Sequence, residues 1–253
     1  MKISIVTITY NAARVLQRTL DSVNSQTYSD IEHLIIDGAS QDSTVAMSEA
    51  YRQQISYDVV IQSEPDQGLY DAMNKGLRLA TGDYIIFMNA GDTFHETTTL
   101  ENVAKVAAVN VAVLYGDTNV VDQEGRFLRK RHLSAPERLT WRSFRQGMLV
   151  CHQAFYVRLD IARNIPYDLQ FRHSADVDWC IRVMKEAERR HLTLVRVPGV
   201  VADFLDGGDS TQNHRASLKE RFSVMHRHYG LLTTLTMHVW FVVRAISSKL
   251  FSR

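Results

Sequence analysis

The sequence feature that most constrains the fold is a repeated alternation of short apolar runs with stretches of helical periodicity. Residues 3–9 form the first run, and apolar side chains then recur every three or four positions between Val15 and Val23. The same order returns after runs at 34–36 and 59–61, and a fourth run covers 84–88. Strands that alternate with helices of this length predict an α/β fold, with one mostly parallel sheet and helices on both faces.

Polar side chains gather directly after these predicted strands, where α/β sheets bind their ligands. The set comprises Thr7, Thr9, Asn11, Asp37, Glu64, Asp66, Asn89 and Asp92. Asp37 and Asp92 each follow an apolar strand, which favours a functional role, whereas Ser40 and Asp42 fit better as turn and helix-capping residues. The sequence therefore predicts a ligand site at one edge of the sheet.

The second half has a less regular pattern. It predicts strands at 111–115, 127–131 and 151–157, a hairpin turn at 122–125 and a short helix over 136–145. A longer helix begins near Asp176, where a carboxylate can cap the first turn. The length of 253 residues allows one substantial core with a small appendage.

Composition and charge narrow the class of protein. Hydrophobic residues make up 45% of the chain and charged residues 23%, as in ordinary globular domains. The formal net charge of +1 gives no strong attraction to nucleic acid, and we expect none as a partner. Cys151 and Cys180 lack a C-x-x-C spacing, which favours buried free thiols in a reducing compartment. The N-terminal residues are interpreted as a strand and not as a signal peptide, so a cytoplasmic location is expected.

Seven short motifs follow one another in a more specific pattern. They are V-T-I-T-Y-N (6–11), I-I-D-G-A-S-Q-D-S-T (35–44), S-E-P-D-Q-G-L-Y-D-A-M-N-K-G (63–76), F-M-N-A-G-D (87–92), C-H-Q-A-F (151–155), S-A-D (174–176) and G-G-D-S-T (207–211). Together they resemble the inverting family-2 glycosyltransferases of GT-A fold, most closely the branch that builds bacterial exopolysaccharides, colanic acid and O-antigens. The resemblance implies a GT-A domain over 1–215, with a nucleotide-sugar half (1–110) and an acceptor half (111–215), followed by a helical tail over 216–253.

On the donor side, the resemblance implies a pocket for a nucleotide-sugar. Asp37 would accept a hydrogen bond from N3–H of a pyrimidine, which favours a UDP-sugar. Lys75 fits either a contact with a phosphate or a solvated helix lysine. The implied nucleotide-sugar-binding residues are Thr7, Thr9, Asn11, Asp37, Glu64, Asp66, Lys75 and Asn89.

The metal motif departs from the family's D-x-D pattern. Asn89 stands for the first Asp and Gly91 for the second, which leaves Asp92 as the carboxylate of the motif. The resemblance to the polysaccharide branch still implies a divalent ion, Mn²⁺ or Mg²⁺, held by Asp92. His214 is a candidate additional ligand, with a surface histidine as the alternative.

On the acceptor side, Asp176 matches the family's catalytic base at the head of a helix. A carboxylate there would take the acceptor proton in a single displacement, which inverts the anomeric centre. Asp178 points to another helix face and is the weaker candidate. His152 fits either an acceptor contact or a core histidine, and residues 207–210 predict a mobile loop near the donor.

The tail combines apolar periodicity with positive charge. Apolar side chains recur every three or four residues from Leu232 to Leu250, and no acidic residue follows Glu220. This pattern is typical of a basic amphipathic helix at an anionic membrane surface, and it is too interrupted by charge for a spanning helix. Packing on the domain or on a second subunit is the alternative, and the oligomeric state stays open.

The predicted function is transfer of a sugar to a lipid-diphosphate-linked saccharide at the cytoplasmic face of the inner membrane. The basic stretch at 126–145 could meet the lipid phosphates or form a solvated face. A nucleotidyltransferase is the rival enzyme, but T-Y-N-A-A-R after the first strand lacks the glycines that hold a triphosphate. A catalytically weak or inactive GT-A scaffold that recruits partners to the membrane is the rival from another class.

Overall fold

The computed structural model describes residues 1–207 and 213–251. Its strands are β1 (Ile3–Thr9), β2 (Ile31–Asp37), β3 (Asp58–Ser63), β4 (Tyr84–Phe87), β5 (Thr93–Phe94), β6 (Val111–Val121), β7 (Phe127–Lys130), β8 (Phe155–Arg158) and β9 (Thr193–Leu205). Its helices are α1 (Ala13–Asn24), α2 (Thr44–Arg52), α3 (Leu69–Leu79), α4 (Thr99–Val106), α5 (Leu159–Ala162), α6 (Ala175–Arg189), α7 (His214–Tyr229) and α8 (Leu231–Phe251), with 3₁₀ turns at Trp141–Gln146 and His152–Ala154. The strands form one sheet in the order β3-β2-β1-β4-β8-β6-β9-β5, and β7 pairs with β6.

The first half of the sheet is parallel, as predicted. β1 lies between β2 and β4, and β2 also pairs with β3. Ile35 packs in a cluster with Leu16 of α1. Its neighbours Leu34 and Ile36 belong to the larger core cluster, which includes Met73 of α3. Because side chains alternate along a strand, helices cover both faces, and the carboxyl ends of β1, β2 and β4 share one edge.

The second half of the sheet is mixed. β8 pairs antiparallel with both β4 and β6, so it joins the two halves. The sequence pattern does not predict β9, which pairs with β6 in parallel, because Pro198 and Gly199 interrupt its apolar run. The strand predicted over 151–157 is wrong in its first part, since a 3₁₀ turn precedes β8. The helix predicted over 136–145 is a 3₁₀ turn that begins only after the capping residue Thr140.

Asp178 anchors α7 against α6. Its carboxylate is fully buried and accepts hydrogen bonds from Arg182 on α6 (2.6 Å) and from His228 on α7 (2.8 Å). Gly230, with φ of 79°, ends α7 and allows α8 to follow directly. Within the described ranges, no helix combines the length and apolar character needed to cross a membrane. Both cysteines are free and buried, as predicted.

Candidate active site

A cavity of about 940 Å³ opens at the carboxyl edge of the parallel strands. Four of the eight residues predicted at the strand ends line it, namely Thr9, Asn11, Asp66 and Asn89. The opposite wall comes from the segment that precedes α6, with Leu169, Phe171 and Arg172. The position predicted for the ligand site therefore coincides with this cavity.

Asp37 lies behind the cavity, with 1% of its surface exposed. Its Oδ1 accepts hydrogen bonds from the hydroxyls of Thr9 (2.9 Å) and Ser40 (2.5 Å). Its Oδ2 accepts from Ser40 N–H (2.9 Å) and from the Ser63 hydroxyl (2.7 Å). Burial acts to raise the pKa of Asp37, but these hydrogen bonds outweigh it and lower that pKa. Four donors fill the usual capacity of a carboxylate, so a nucleotide base would have to replace one of them.

Three other predicted residues, Thr7, Glu64 and Lys75, do not line the cavity. The Thr7 hydroxyl lies 2.8 Å from Nε2 of His33, a histidine whose burial lowers its pKa to about 3. Lys75 is buried, and its Nζ donates to Pro65 O (2.8 Å) and to the Glu64 carboxylate (3.0 Å). Because it is buried, Lys75 is not a solvated helix lysine. Its two contacts stabilise the turn that leads into α3.

The N-A-G-D loop turns its carboxylate away from the cavity. Asp92 is 3% exposed, its Oδ1 accepts from Leu205 N–H (2.9 Å), and its Oδ2 accepts from Gln153 Nε2 (2.8 Å). Burial raises the pKa of Asp92. Among residues 1–207 and 213–251, no group of three or more His, Cys, Asp or Glu side chains could hold a metal ion. The side chain of His214 and most of the loop predicted at 207–210 lie outside the described residues.

Asp176 lies at the start of α6 beside the cavity. Its Oδ1 accepts from the hydroxyl of Tyr70 (3.1 Å), which lines the cavity, and from Val177 N–H (2.9 Å). Its Oδ2 lies 3.4 Å from Nδ1 of His152. Burial acts to raise the pKa of Asp176, but the hydrogen bond from His152, the charge of Arg221 and the hydrogen bond from Val177 N–H outweigh it and lower that pKa overall. The carboxylate is therefore ionised at neutral pH, as a general base must be.

His152 lies next to Asp176 and does not line the cavity. Its Nε2 is 3.1 Å from Nδ2 of Asn89, so the ring lies between the donor-side loop and the head of α6. Sequence reasoning missed Tyr70 and Gln153, although both stand inside the quoted motifs. Their contacts join segments that are far apart in the chain, so the sequence carried no signal for them.

A family model described as Glycosyl transferase family 2 matches residues 4–164. This chain belongs to that family. It is therefore a glycosyltransferase, and the predicted family is confirmed. Among its relatives, a PGL/p-HBAD biosynthesis glycosyltransferase of Mycobacterium tuberculosis is 35% identical over 71% of this chain and 68% of its own. The amylovoran biosynthesis glycosyltransferase AmsB of Erwinia amylovora is 27% identical over 72% of this chain and 64% of its own.

Solved glycosyltransferase structures share the fold of this family member. TarS of S. aureus, in a complex with UDP-GlcNAc, aligns with a TM-score of 0.71 at 17% identity, over 89% of this chain and 65% of that one. The mannosyltransferase PcManGT from Pyrobaculum calidifontis, in complex with GDP-Man and Mn²⁺, aligns with a TM-score of 0.67 at 16% identity, over 93% and 69%. The GT-A fold predicted from the sequence is confirmed.

Proposed function

We propose that this glycosyltransferase moves a sugar from a UDP-sugar to a lipid-linked saccharide during assembly of a bacterial surface polysaccharide, with inversion at the anomeric carbon. The observation that carries the proposal is the position of the Asp176 carboxylate, which Tyr70 and His152 hold beside the cavity and whose pKa is lowered there. The carboxylate would take the proton of the acceptor hydroxyl while that oxygen attacks the anomeric carbon and the bond from this carbon to the diphosphate oxygen breaks, which releases UDP. Since one displacement makes the new bond, the anomeric configuration inverts.

The donor would occupy the cavity between the ends of β1, β3 and β4. Thr9, Asn11 and Asp66 offer hydroxyl, amide and carboxylate groups to the nucleotide. Asn89 Oδ1 is buried and has no hydrogen-bond partner in the described part of the chain. A buried acceptor of this kind costs stability until a donor group reaches it, and a sugar hydroxyl is such a group.

Recognition of a pyrimidine by Asp37 requires an exchange of partners. The N3–H of the base would displace the hydroxyl of Ser40 or Ser63 from the carboxylate. Thr7, Glu64 and Lys75 would not contact the donor directly. They would position the end of β1 and the turn before α3, which line the donor cavity. TarS has been solved in complex with UDP and PcManGT in complex with GDP-Man. The preference of this protein for uracil over guanine is therefore part of the proposal.

A divalent ion is part of the family prediction, and Mn²⁺ is bound in the PcManGT structure. The described residues do not form a ligand set for it, because both oxygens of Asp92 bond within the protein and Gly91 has no side chain. Metal binding by Asp92 and His214 stays a prediction that the titration below tests. The ion would have to bind oxygens that already accept hydrogen bonds from Leu205 N–H and Gln153.

The lipid-linked acceptor and the membrane surface are supported by the exposed face of α8. Leu232, Leu235, Val239 and Val242 are 48–78% exposed along this helix. The names of two relatives concern PGL/p-HBAD and amylovoran biosynthesis. The basic stretch at 126–145 gives weaker support, because five of its arginines bond within the protein: Arg126, Arg129, Arg131, Arg142 and Arg145.

The proposal is tested by thermal-shift titration with UDP, GDP and TDP, each with and without Mn²⁺. A ligand that binds the folded state raises the Tm according to its affinity. We expect the largest shift with UDP, and then release of UDP from UDP-GlcNAc, UDP-glucose or UDP-galactose that is lost in Asp176→Asn. No shift with any nucleotide would refute the donor assignment and favour the inactive scaffold.

A further inference from the structure

The 3₁₀ turn His152–Ala154 contacts both sides of the active site. His152 lies within hydrogen-bond reach of Asn89 on the donor side, and on the other side its Nδ1 faces Asp176. The next residue, Gln153, donates to the buried Asp92. One short turn therefore connects the N-A-G-D loop to the catalytic helix.

The orientation of the Asn89 amide determines which atoms donate in the two hydrogen bonds that His152 makes with Asn89 and Asp176. Nδ2 of an asparagine can only donate, so Nε2 of His152 accepts and carries no hydrogen. A neutral imidazole then carries its hydrogen on Nδ1, which faces Asp176 Oδ2 at 3.4 Å. Catalytic contacts of this length often tighten when substrate binds.

We propose that His152 is a positioning residue for Asp176, and that Asn89 selects the His152 tautomer through which it acts. The inference rests on the proposed function, in which Asp176 is the base. Tyr70 and Val177 both donate to Oδ1, which leaves Oδ2 as the oxygen that receives the acceptor proton. His152 holds that oxygen in place while Asn89 directs its carbonyl oxygen to the donor sugar.

The groups that face the Asp176 carboxylate come from several elements. His152 comes from the 3₁₀ turn, Tyr70 from α3 and Arg221 from α7. The side chains of Cys151, Tyr167 and Cys180 are also close enough to interact with its charge, and burial keeps all three neutral. The ionised carboxylate is therefore favoured by the charge of Arg221 and by hydrogen bonds from His152, Tyr70 and Val177 N–H.

The tautomer is measured first, because it needs no substrate. Protein labelled with ¹⁵N-histidine is examined by long-range ¹H–¹⁵N correlation NMR, and His152→Gln identifies the signals of His152. We expect hydrogen on Nδ1 and a bare Nε2 whose signal shifts in Asn89→Ala. Hydrogen on Nε2 would mean that the Asn89 amide is reversed, and this would overturn the inference.

Kinetics then test the effect on the base, with UDP released from UDP-GlcNAc, UDP-glucose or UDP-galactose as the readout. We expect His152→Ala to lower kcat by about ten- to a hundredfold with little change in KM. His152→Gln should retain more activity, because its amide can both donate and accept. The pKa of Asp176 rises when His152 is removed, so the acid limb of the kcat profile should move to higher pH.

A matched control is His95→Gln, which removes a histidine paired with Asp203 at 3.0 Å outside the cavity. We expect this variant to keep the wild-type kcat and pH profile. An unmoved acid limb in His152→Ala, or a loss confined to KM, would overturn the positioning role. Failure of the proposed function would look different, since wild-type protein would then release no UDP while the tautomer could still be read.

Discussion

Asparagine substitution at Asp176 and at Asp178 should separate chemistry from stability on one helix. Asp178 is fully buried and accepts hydrogen bonds from Arg182 and His228. Hydrogen bonds to charged groups contribute about 1.5–3 kcal/mol each. The Arg182 side chain is 27% exposed, so water partly replaces its contact. We therefore expect Asp178→Asn to cost about 2–4 kcal/mol, which lowers Tm by roughly 5–15 °C for a chain of this size.

Asp176→Asn should have the opposite result. Its amide oxygen can still accept from Tyr70 and from Val177 N–H, and its contact with His152 is long at 3.4 Å, so Tm should fall less than in Asp178→Asn. It cannot take a proton at neutral pH, and we expect kcat for UDP release to fall by about 10²–10⁴-fold. Both variants are compared by thermal unfolding and by UDP release from the donor that wild-type protein uses best.

The pH dependence of the Asp178 effect has a defined sign. The pKa of Asp178 is lowered in the folded protein: burial acts against this, but His228 and Arg182 outweigh it. Its stabilisation is therefore complete above the unfolded pKa of about 3.9 and is lost as pH falls through the lower folded value. The Tm difference from wild type should be full at pH 7 and shrink below about pH 4. If Asp178→Asn abolished UDP release at wild-type stability while Asp176→Asn stayed active, the assignment of the base would be wrong.

Three further results are expected. Burial acts to raise the pKa of Glu32, but its hydrogen bonds outweigh this effect and lower that pKa to about 2. Glu32→Gln should therefore remove the part of the wild-type stability that is lost between about pH 4.3 and 2. Urea unfolding at pH 7 and pH 3 measures this part, and equal losses of stability at both pH values would contradict the prediction. Gly91→Asp recreates one D-x-D carboxylate, but we expect it to lower Tm without adding a Mn²⁺-dependent rise in Tm. Gly91 has φ of 97°, and a Cβ there would lie 2.5 Å from the Leu205 side chain of β9. A new Mn²⁺-dependent rise in Tm would refute this prediction. The double variant Leu232→Glu/Val239→Glu should co-sediment less with anionic vesicles than the wild-type protein. Val109→Glu, at a 94% exposed site outside α8, should co-sediment like the wild type. Equal co-sedimentation of the wild type and both variants would exclude α8 as the membrane contact.

The sequence predicted the parallel half of the fold because each strand there is a continuous apolar run followed by a helical repeat. Local pattern and tertiary position agree in such units. β9 was not predicted because Pro198 and Gly199 interrupt its apolar run, and its pairing with β6, about eighty residues earlier, shifts register at several points. The turn at His152 was also misassigned, because a 3₁₀ turn of three residues has no periodicity that could distinguish it from a strand end.

The candidate site was predicted in position but less well in the role of each residue. Composition at strand ends shows where polar groups gather, and it does not show which of them face a ligand. Asn89 lines the cavity, whereas Asp37, Lys75 and Asp92 bond within the protein. Buried carboxylates must have hydrogen-bond partners, so the fold itself claims most of the acidic residues that the motif supplies.

The two hydrogen bonds that the Asp92 carboxylate accepts within the protein would be affected by a metal ion at this residue. Its Oδ1 holds the N–H of Leu205, the last residue of β9, and its Oδ2 holds Gln153 beside His152. An ion bound to either oxygen would weaken its hydrogen bond to the end of β9 or to the turn that we propose positions Asp176. Metal binding at Asp92 would therefore affect the geometry of Asp176 through these two contacts. If Mn²⁺ raises Tm in the UDP titration, the ¹⁵N signals of His152 should shift with it, and unchanged signals would place the ion elsewhere.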